Sequence, residues 1–550
     1  MNEAPGRFRK RYPHIVVLAM LVMALRIGST WRVFHDVIDE PYHIGAGIAM
    51  YEVGRHVYGI QHPPLPRLVG ALPLVRSGVR SGEVGEAELG RRADDLRAFE
   101  VGHRALLAGR LGYWDALVRA RAAMLAFPLV AVLYVYLLGS YLANRLAGCV
   151  AAVFFSTDPT LLGHGAWVTT DVAACAGYLA ATYHGIRFIA RPTLLRATFA
   201  GLAVGLALAC KFSCALVLPG LVLIWLMRGR RARRTARRVI PLGAAALVAA
   251  TLTLWATYAF DVGRIADLNL TESYVLEGLP AWLATTPIPM PTAVVGYLVL
   301  SHHNAMGHFA YLNGEVSQAG WWYYFPEAIA IKSPVALLVA LVVALILMII
   351  APRRSHGRSV VLVIPCAVFL LASTSAGINI GIRHVLPAIP FLYLFASLWL
   401  ARGRFIVIAL ALIVAAVVET ALVHPDYLAF FNLLVGGPDN GEKYLLDSNL
   451  DWGQDQARLH DWLQANARGR VVTARIFGNP RLYEWPRESF TLLPAGASPQ
   501  GVFAISKNYL YDVYPNPGGA RFRGMNPVAR IGYSINVYDL DAEEKRGHQR

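Results

Sequence analysis

Acidic, imidazole and cationic side chains stand at the boundaries of apolar segments, where they are placed to act on a ligand at a membrane surface. The clearest group is Asp39-Glu40, followed by Pro41, Tyr42 and His43. Because carboxylates are costly inside lipid, we place this pair at a membrane face. Two neighbouring carboxylates favour protonation of one of them, which suits proton transfer. The alternative is a simple helix start, since Asp-Glu-Pro is common there.

Two lysines and one aspartate form a second set of candidates. Asp171 follows two threonines at the start of an apolar segment, Lys211 lies between two apolar runs, and Lys332 precedes Ser333-Pro334. Asp171 suits either a helix N-terminus or a ligand cavity. Each lysine suits either a side chain that extends out of the lipid or a cation that binds an anion. The residue types alone leave these alternatives open.

Arg383-His384 ends a short glycine-containing turn that begins at Gly377. A guanidinium is a planar fork that matches phosphate oxygens, and glycines let a ligand approach the backbone. The alternative is an arginine at the membrane interface. His62 and His303 are further polar side chains expected near this face. His303 and His308 do not have a convincing metal-binding spacing, so we assign no residues to a metal site.

The composition of the chain excludes most soluble classes. Of the 550 residues, 56% are hydrophobic and 16% are charged, whereas soluble proteins carry roughly 25% charge. The chain is therefore predicted to be a polytopic membrane protein rather than a large soluble enzyme. Its net charge of +16 is concentrated in short loops and termini, which suits membrane orientation better than nucleic-acid binding. The five cysteines lie in or beside apolar segments, as small buried side chains do.

The apolar segments predict an α-helical protein with about eleven transmembrane helices, since each is near the roughly 20 residues needed to cross a bilayer. Residues 1–423 form this transmembrane domain, with two large loops at 32–118 and 261–326. A helix over 42–57 is expected to lie at the membrane interface within the first loop. Short apolar runs separated by turn residues predict a small α/β soluble domain over 424–550. The predicted spans lie at about 14–31, 120–142, 146–162, 171–190, 196–210, 213–227, 239–258, 327–351, 359–375, 384–401 and 404–421.

The distribution of arginines predicts how the chain is oriented in the membrane. The segment from Arg228 to Arg238 contains seven arginines and no acid, and the connections Arg353 to Arg358 and Arg402 to Arg404 are also basic. Positive loops stay in the cytoplasm, so the N-terminus is predicted to be cytoplasmic. The basic residues from Arg7 onwards then precede an uncleaved first helix rather than a signal peptide. Every candidate residue falls on the outer face.

The motifs taken together resemble the polyprenyl-phosphate-sugar-dependent glycosyltransferases. This superfamily includes the protein O-mannosyltransferases and the aminoarabinose transferases, which share the GT-C fold. The resemblance extends from about residue 14 to about residue 480. The segments that carry it are Asp39–His43, His62–Leu65, Thr169–Asp171, Lys211–Ser213, Ile331–Pro334, Asn379–Pro387, Phe431-Asn432, Gly436–Pro438 and Asp447–Gln454.

The resemblance implies specific roles for the candidates. It implies that Asp39 is the general base for the acceptor, with Glu40 as its catalytic partner. The phosphate of a polyprenyl-phosphate-linked sugar donor would bind cations, Arg383 first. Direct displacement inverts the sugar carbon. The weaker phosphate candidates are His384, Lys211 and Lys332, and the residues expected to line the cavity are His43, His62, Asp171 and His303.

The resemblance also implies a location and partners. The chain is expected in a bacterial inner membrane as a multi-pass protein, with its C-terminal domain periplasmic or extracellular. Its partners would be the sugar donor, membrane lipid and an acceptor that is a glycan, a lipid or a protein. Nucleic acid is not expected. No cofactor is implied with certainty, and a divalent metal stays open.

The alternative function is a secondary transporter or lipid flippase. Transporters place ionisable groups near the middle of the bilayer and often contain inverted repeats. Here the polar residues share one face, and the sequence shows no repeat, so the enzyme is preferred. A non-catalytic membrane assembly factor of the same fold is a third possibility, which the presence of Asp39 and Arg383 argues against.

Overall fold

The computed structural model describes residues 11–81, 95–107, 110–268, 276–277, 279–350, 356–479, 490–494, 496–514 and 518–542. The basic N-terminal residues before position 11 and the inner-loop residue Arg353 lie outside this described part.

The protein is mostly helical. The α-helices are α1 (Tyr12–Gly28), α2 (Asp39–Val53), α3 (Leu65–Arg76), α4 (Asp95–Leu107), α5 (Tyr113–Met124), α6 (Ala126–Leu142), α7 (Arg145–Phe155), α8 (Pro159–His164), α9 (Asp171–Ala190), α10 (Leu194–Cys210), α11 (Val217–Leu226), α12 (Arg230–Thr257), α13 (Ala281–Thr285), α14 (Pro291–Met306), α15 (Tyr324–Lys332), α16 (Val335–Ile350), α17 (His356–Thr374), α18 (Ile389–Leu400), α19 (Ile406–Ala421), α20 (Gln456–Asn466) and α21 (Lys507–Leu510). The strands are β1 (Val262–Gly263), β2 (Ile288–Pro289), β3 (Ala310–Leu312), β4 (Glu315–Ser317), β5 (Val472–Arg475), β6 (Thr491–Leu492), β7 (Val502–Ser506), β8 (Ala529–Ile531) and β9 (Ile535–Asp539).

Several helices have the length and composition of membrane spans. In the described part of the chain, four helices meet both criteria, or five if one bent pair counts as a single span. Five more apolar helices are 10–17 residues long. Large apolar side chains on these helices face outwards, as in Leu25, Leu247 and Ile350, because the surrounding lipid is as apolar as they are. The four long spans are Tyr113–Leu142, Arg230–Thr257, His356–Thr374 and Gly403–Ala421.

The segment predicted as one span over 327–351 is instead two helices. The axes of α15 and α16 differ by 109°, and the break lies at Ser333-Pro334. Proline has no N–H to donate and excludes the helical conformation at the preceding residue, so Ser333 is extended. Whether the bent pair crosses the membrane as one broken span stays a prediction. The bend turns the end of α15, with Lys332, into the interior.

The first outer loop folds into a helical cluster with its own core. Helices α2, α3, α4 and α5 pack together around buried Ile44, Leu74 and Leu117. Helix α2 begins three residues earlier than predicted and ends at Gly54, which takes a left-handed conformation with φ of 74°. Helices α2 and α4 approach closely at Gly45, where a Cβ would lie 2.0 Å from the carbonyl oxygen of Ala98. The described helices of this loop therefore form a packed support.

A buried ion pair joins this cluster to the start of the membrane region. Arg121 on α5 donates to both carboxylate oxygens of Glu40, at 2.9 and 2.7 Å, and both side chains are 0% exposed. Arg121 also donates to the carbonyl oxygens of Trp31, Phe34 and His35. These bonds satisfy two charges that would otherwise be very costly to bury.

The C-terminal region contains the predicted α/β domain. Its five strands follow the order β6-β5-β7-β9-β8. Strand β5 is parallel to β6 and β7, whereas β9 is antiparallel to β7 and β8. Helix α20 packs on one face around Leu459 and Leu463. The fold class predicted from the sequence is confirmed in this region.

Three contacts attach the C-terminal region to the loop that contains Asp39. The backbone N–H of Ile38 donates to the carbonyl oxygen of Trp452 at 3.1 Å, and that of His35 donates to Gln454 at 3.0 Å. The amide of Asn479 donates to Asp36 at 2.9 Å. The C-terminal region therefore helps to position the first outer loop.

The Arg121–Glu40 pair predicts a large loss of stability on substitution. Arg121→Met leaves the buried Glu40 carboxylate without its cation and three carbonyl oxygens without their donor, so the free energy of unfolding should fall by about 3–5 kcal/mol. Arg32→Met is the matched control, because Arg32 pairs with Asp115 at the surface and should change stability by less than about 1 kcal/mol. Denaturant titration of the purified protein measures both. Equal midpoints for the two variants would contradict a supporting role for the buried pair.

Candidate active site

Arg383 is the centre of a charged cluster on the predicted outer face. Its Nη1 lies 3.1 Å from Asp39 Oδ2 and 3.4 Å from Asp171 Oδ2. Its Nε donates to the Ser448 hydroxyl at 3.0 Å, and the guanidinium lies 4.3 Å from the centre of the Trp452 ring. Four segments far apart in the chain therefore meet at one side chain.

Lys211 completes this cluster. Its Nζ lies 2.7 Å from Asp171 Oδ1, so Asp171 binds both cations. Asp171 is the first residue of α9, and Lys211 directly follows the end of α10. These helices pack as neighbours along their length, and the start of one then lies beside the end of the other. The structure thus brings together three residues that the sequence proposed separately.

The members of the cluster differ in their access to a ligand. The side chain of Asp171 is 1% exposed, Arg383 is 11%, Lys211 is 15% and Asp39 is 28%. Asp39 is thus the more accessible of the two carboxylates. Desolvation raises the pKa of Asp39, Arg383 opposes this effect, and the charges of Asp171 and Asp447 add to it. Asp39 therefore holds a proton more readily than an ordinary aspartate, as a general base must.

Asp447 and Tyr514 extend the cluster into the C-terminal region. The Tyr514 hydroxyl donates to Asp447 Oδ2, and the Tyr514 ring packs 5.9 Å from that of His308. Burial raises the pKa of Asp447, although the bond from Tyr514 and the charge of Arg383 oppose the shift. From the sequence, Asp447 is recognised only as part of a motif, and Tyr514 is not a candidate. Nothing in the local sequence marks a tyrosine 67 residues downstream as part of this site.

A group of histidines surrounds a buried arginine beside the cluster. Arg67, which is 1% exposed, donates from Nε to His43 Nδ1 at 3.1 Å and from Nη1 to the carbonyl oxygen of Gly59 at 2.7 Å. The rings of His43 and His62 are 5.3 Å apart. Burial and the charge of Arg67 hold the pKa values of both histidines well below the usual range, so both are neutral. Since His43 Nδ1 accepts a bond, its proton is on Nε2.

The structure places two predicted site residues outside the charged cluster. Glu40 points into the core, where Arg121 and the backbone N–H groups of Val37 and Val168 bind it. Lys332 is 3% exposed, and its Nζ donates to the carbonyl oxygens of Leu428 and Asn449 at 2.8 and 2.7 Å. Both side chains therefore stabilise the fold, and this geometry does not support phosphate binding by Lys332.

His384 and His303 occupy different surroundings. His384 follows Arg383 in a 3-10 turn, and its buried Nε2 has no hydrogen-bond partner among the described residues. His303 is near the end of α14, where its ring is 5.7 Å from that of His308. His384 is thus beside the charged cluster, whereas His303 is exposed on α14. Within the described ranges, no group of three or more His, Cys, Asp or Glu side chains is arranged to hold a metal ion.

Comparisons with known proteins show what the chain is similar to in sequence and in fold. Residues 115–258 match the family model described as dolichyl-phosphate-mannose-protein mannosyltransferase. The fold is similar to the crystal structure of ArnT from Cupriavidus metallidurans bound to undecaprenyl phosphate, with a TM-score of 0.50 and 13% identity over 95% of this chain and 97% of that chain. No curated protein sequence matches the chain.

Two other solved structures score lower. One is the archaeal oligosaccharyltransferase AglB from Archaeoglobus fulgidus, with a TM-score of 0.44 and 12% identity over 84% of this chain and 59% of that chain. The other is the arabinosyltransferase EmbB from Mycobacterium smegmatis, with a TM-score of 0.38 and 15% identity over 73% of this chain and 31% of that chain.

The comparisons confirm the resemblance drawn from the sequence, the helical membrane fold class and the prediction of a glycosyltransferase. The transporter alternative receives no support from them. The number of spans, the domain boundaries and the roles of individual residues stay predictions.

The surroundings of Lys332 predict the effect of its removal. Lys332→Met leaves two buried carbonyl oxygens without a donor, which should lower the free energy of unfolding by about 1–3 kcal/mol. Lys443→Met is the control, because that side chain is exposed. Thermal melting and polyprenyl-phosphate binding are measured on both variants. A Lys332→Met protein with unchanged melting and lost phosphate binding would restore the role predicted from the sequence.

Proposed function

We propose that this glycosyltransferase moves a sugar from a polyprenyl-phosphate donor to an acceptor hydroxyl at the outer membrane face. The observation that carries the proposal is the accessible carboxylate of Asp39, 3.1 Å from the guanidinium of Arg383. A base for the acceptor thus stands next to a cation for the leaving phosphate, as glycosyl transfer from a lipid phosphate requires.

Asp39 is proposed to act as the general base in a single displacement. Its carboxylate accepts the proton of the acceptor hydroxyl, whose oxygen attacks the anomeric carbon of the sugar. The bond between this carbon and the phosphate oxygen breaks, and the electron pair leaves with the polyprenyl phosphate. Attack from the side opposite the leaving group inverts the anomeric configuration. Holding both reactants in place supplies much of the rate acceleration.

Arg383 and Lys211 are proposed to bind the donor phosphate. Negative charge grows on the phosphate as it leaves, and fixed cations stabilise that charge. Asp171 holds both cations in position, which removes the need to reorder them during the reaction. The neutral rings of His62 and His384 lie beside the same cations and can donate to phosphate oxygens without adding charge.

Glu40 and His43 are proposed to support Asp39 rather than contact the reacting atoms. The carboxylate of Glu40 is fully bound by Arg121 and backbone groups, so it anchors the start of α2. His43 lies one helical turn after Asp39, and Arg67 fixes its tautomer. His303, whose ring is 5.7 Å from that of His308, receives no role in the proposed transfer step.

The lipid chain of the donor is proposed to lie between the helices that carry Asp171 and Lys211. An apolar cavity of about 410 Å³ opens between helices α9 to α12. Leu208 and Leu218, which line it, flank Lys211 in the chain. The ArnT structure with a similar fold contains undecaprenyl phosphate, which supports a polyprenyl chain as the occupant.

The orientation of the protein follows from its arginines. Helix α12 begins with the cluster of arginines predicted to be cytoplasmic and ends at Thr257. The opposite ends of the spans then carry Asp171 and Lys211 to the outer face. We propose a bacterial inner-membrane protein with its site and C-terminal domain in the periplasm.

Asp39→Asn is expected to abolish transfer while the protein stays folded. Loss of the base should lower the rate by about 10²–10⁴-fold, because the amide cannot accept the acceptor proton. Transfer from a radiolabelled polyprenyl-phosphate sugar in proteoliposomes measures the rate, and thermal melting measures folding. Asp115→Asn is the control, since Asp115 is exposed and pairs with Arg32 at the surface. A fully active Asp39→Asn enzyme would contradict the proposed mechanism.

The pH dependence gives an independent test of the base. The raised pKa of Asp39 should place the acid limb of kcat/KM above pH 3.8, with activity lost as the pH falls and the carboxylate takes up a proton. Asp447→Asn removes a negative neighbour, which stabilises the Asp39 carboxylate and should shift the limb to lower pH. The pH profiles of the two enzymes are compared by the same transfer assay. If the acid limb of kcat/KM in Asp447→Asn lay at the same or a higher pH, the assignment of Asp39 as the base would be contradicted.

A further inference from the structure

A second cavity, of about 550 Å³, lies beside the charged cluster on the predicted outer face. It opens between the end of α14, the segment after β4 and the end of α17. Its volume falls within the roughly 300–1,000 Å³ typical of small-molecule sites. None of the roles proposed above uses it. The side chains that define its chemistry are Asn304, Gln318, Trp321, Trp322, Thr374 and Ser375.

The lining of this cavity is polar but uncharged. Among the described residues that line it, two carry amides, two carry hydroxyls, two carry indoles, and none carries a charge. A phosphorylated or otherwise ionic ligand would be desolvated here without a counter-charge, which is costly. A neutral ligand with many hydroxyl groups and flat apolar faces fits this lining, because indole rings pack on apolar faces while amides and hydroxyls bond to hydroxyls.

The hydrogen bonds within the protein determine which donors and acceptors of the cavity remain available to a ligand. Asn304 Oδ1 accepts from the backbone N–H of Gly377 at 3.2 Å, so the Nδ2 group is the part of this amide that can donate to a ligand. The hydroxyls of Thr374 and Ser375 donate to the carbonyl oxygens of Leu371 and Ala372. Their oxygens are then oriented as acceptors. The cavity thus presents both donors and acceptors in fixed positions.

Asn379 connects the cavity to the charged cluster. Its Oδ1 accepts from the backbone N–H of Trp321 at 2.8 Å, and its Nδ2 donates to the carbonyl oxygen of Ala376 at 3.1 Å. Arg383 follows four residues later, a distance of at most about 14 Å even for extended chain. His308 follows Gly307 of the lining and contacts Tyr514 of the cluster. Asn379 and His308 thus link residues that line the cavity to the charged cluster.

We propose that this cavity is the acceptor subsite and binds a neutral saccharide, one hydroxyl of which is presented to Asp39. The inference rests on the proposed function, which it deepens by naming the class of acceptor. The donor phosphate then binds the cations beside Arg383, and the acceptor binds the uncharged cavity lined by Trp321. Two other classes of acceptor, a Ser/Thr peptide and a phosphorylated lipid headgroup, are outcomes of the test.

Trp322 is the side chain that best tests the cavity. It is 71% exposed, so its removal should leave folding intact. Trp322→Ala should weaken the binding of neutral mannotriose and maltotriose about tenfold through loss of ring packing. Trp282→Ala is the matched control, since Trp282 is 66% exposed on the same large outer loop but does not line the cavity. Thr374→Val provides a second variant that removes an acceptor without changing the side-chain volume.

Saturation-transfer NMR of the full chain in detergent measures trisaccharide binding, and native mass spectrometry measures binding of polyprenyl phosphate. We expect Trp322→Ala and Thr374→Val to weaken trisaccharide binding with unchanged polyprenyl-phosphate binding, and Trp282→Ala to change neither. Asp39→Asn should still bind the trisaccharide, because the base acts only in transfer.

Several outcomes would overturn the inference while the proposed function stands. Polyprenyl-phosphate binding without any trisaccharide binding would show that the cavity is not a saccharide site. Displacement of the trisaccharide by a Ser/Thr peptide or by a phosphorylated disaccharide lipid, with tighter binding of the competitor, would assign the acceptor to that class instead. Equal loss of vesicle insertion in Trp322→Ala and Trp282→Ala, with unchanged trisaccharide binding, would make Trp322 an interfacial anchor. Failure of the proposed function would give a different result, because polyprenyl phosphate would then not bind the wild-type chain.

Discussion

The buried pair of Glu40 and Arg121 determines where Asp39, the proposed base, lies. Two charges with no exposure are tolerable only when each is fully bonded, and here one guanidinium and five backbone groups provide those bonds. Glu40 is therefore held in one orientation. Successive residues on a helix point about 100° apart, so Asp39 is turned out of the core towards Arg383. One member of the acidic pair stabilises the fold and leaves the other free for chemistry.

The balance of charge around Arg383 suits a site that alternates between empty and phosphate-bound states. Three carboxylates, Asp39, Asp171 and Asp447, face two cations, Arg383 and Lys211, so the cations are already paired before a donor binds. This pairing keeps them oriented in a partly buried setting where lone charges would be unstable. The C-terminal region takes part in the arrangement, because Ser448 and Trp452 hold the guanidinium from the other side.

Much of the fold could be predicted because its signals are local. Long apolar segments, basic inner connections and turn-rich C-terminal strands each depend on neighbouring residues, and they correctly indicated a helical membrane protein with a small α/β region. The bend at Ser333-Pro334 could also have been expected from proline chemistry. The compact core of the first outer loop could not, because it depends on contacts between helices α2 to α5. The candidate site was predicted as a set of residue types on one face, without its pairings.

The sequence by itself predicted a helical membrane protein, which the fold confirms, and it also predicted an orientation that places Asp39, Asp171, Lys211 and Arg383 on one face. Hydropathy and charge act over a few residues at a time, so these properties need no knowledge of distant contacts. Only the tertiary structure decided which side chains meet. Asp39 and Arg383 are 344 residues apart in the chain, and Lys332 is as basic as Lys211. In the folded protein, Lys332 donates to buried backbone carbonyl oxygens, whereas Lys211 pairs with Asp171 in the charged cluster. The burial and the partners of each lysine, rather than its residue type, therefore determine its role.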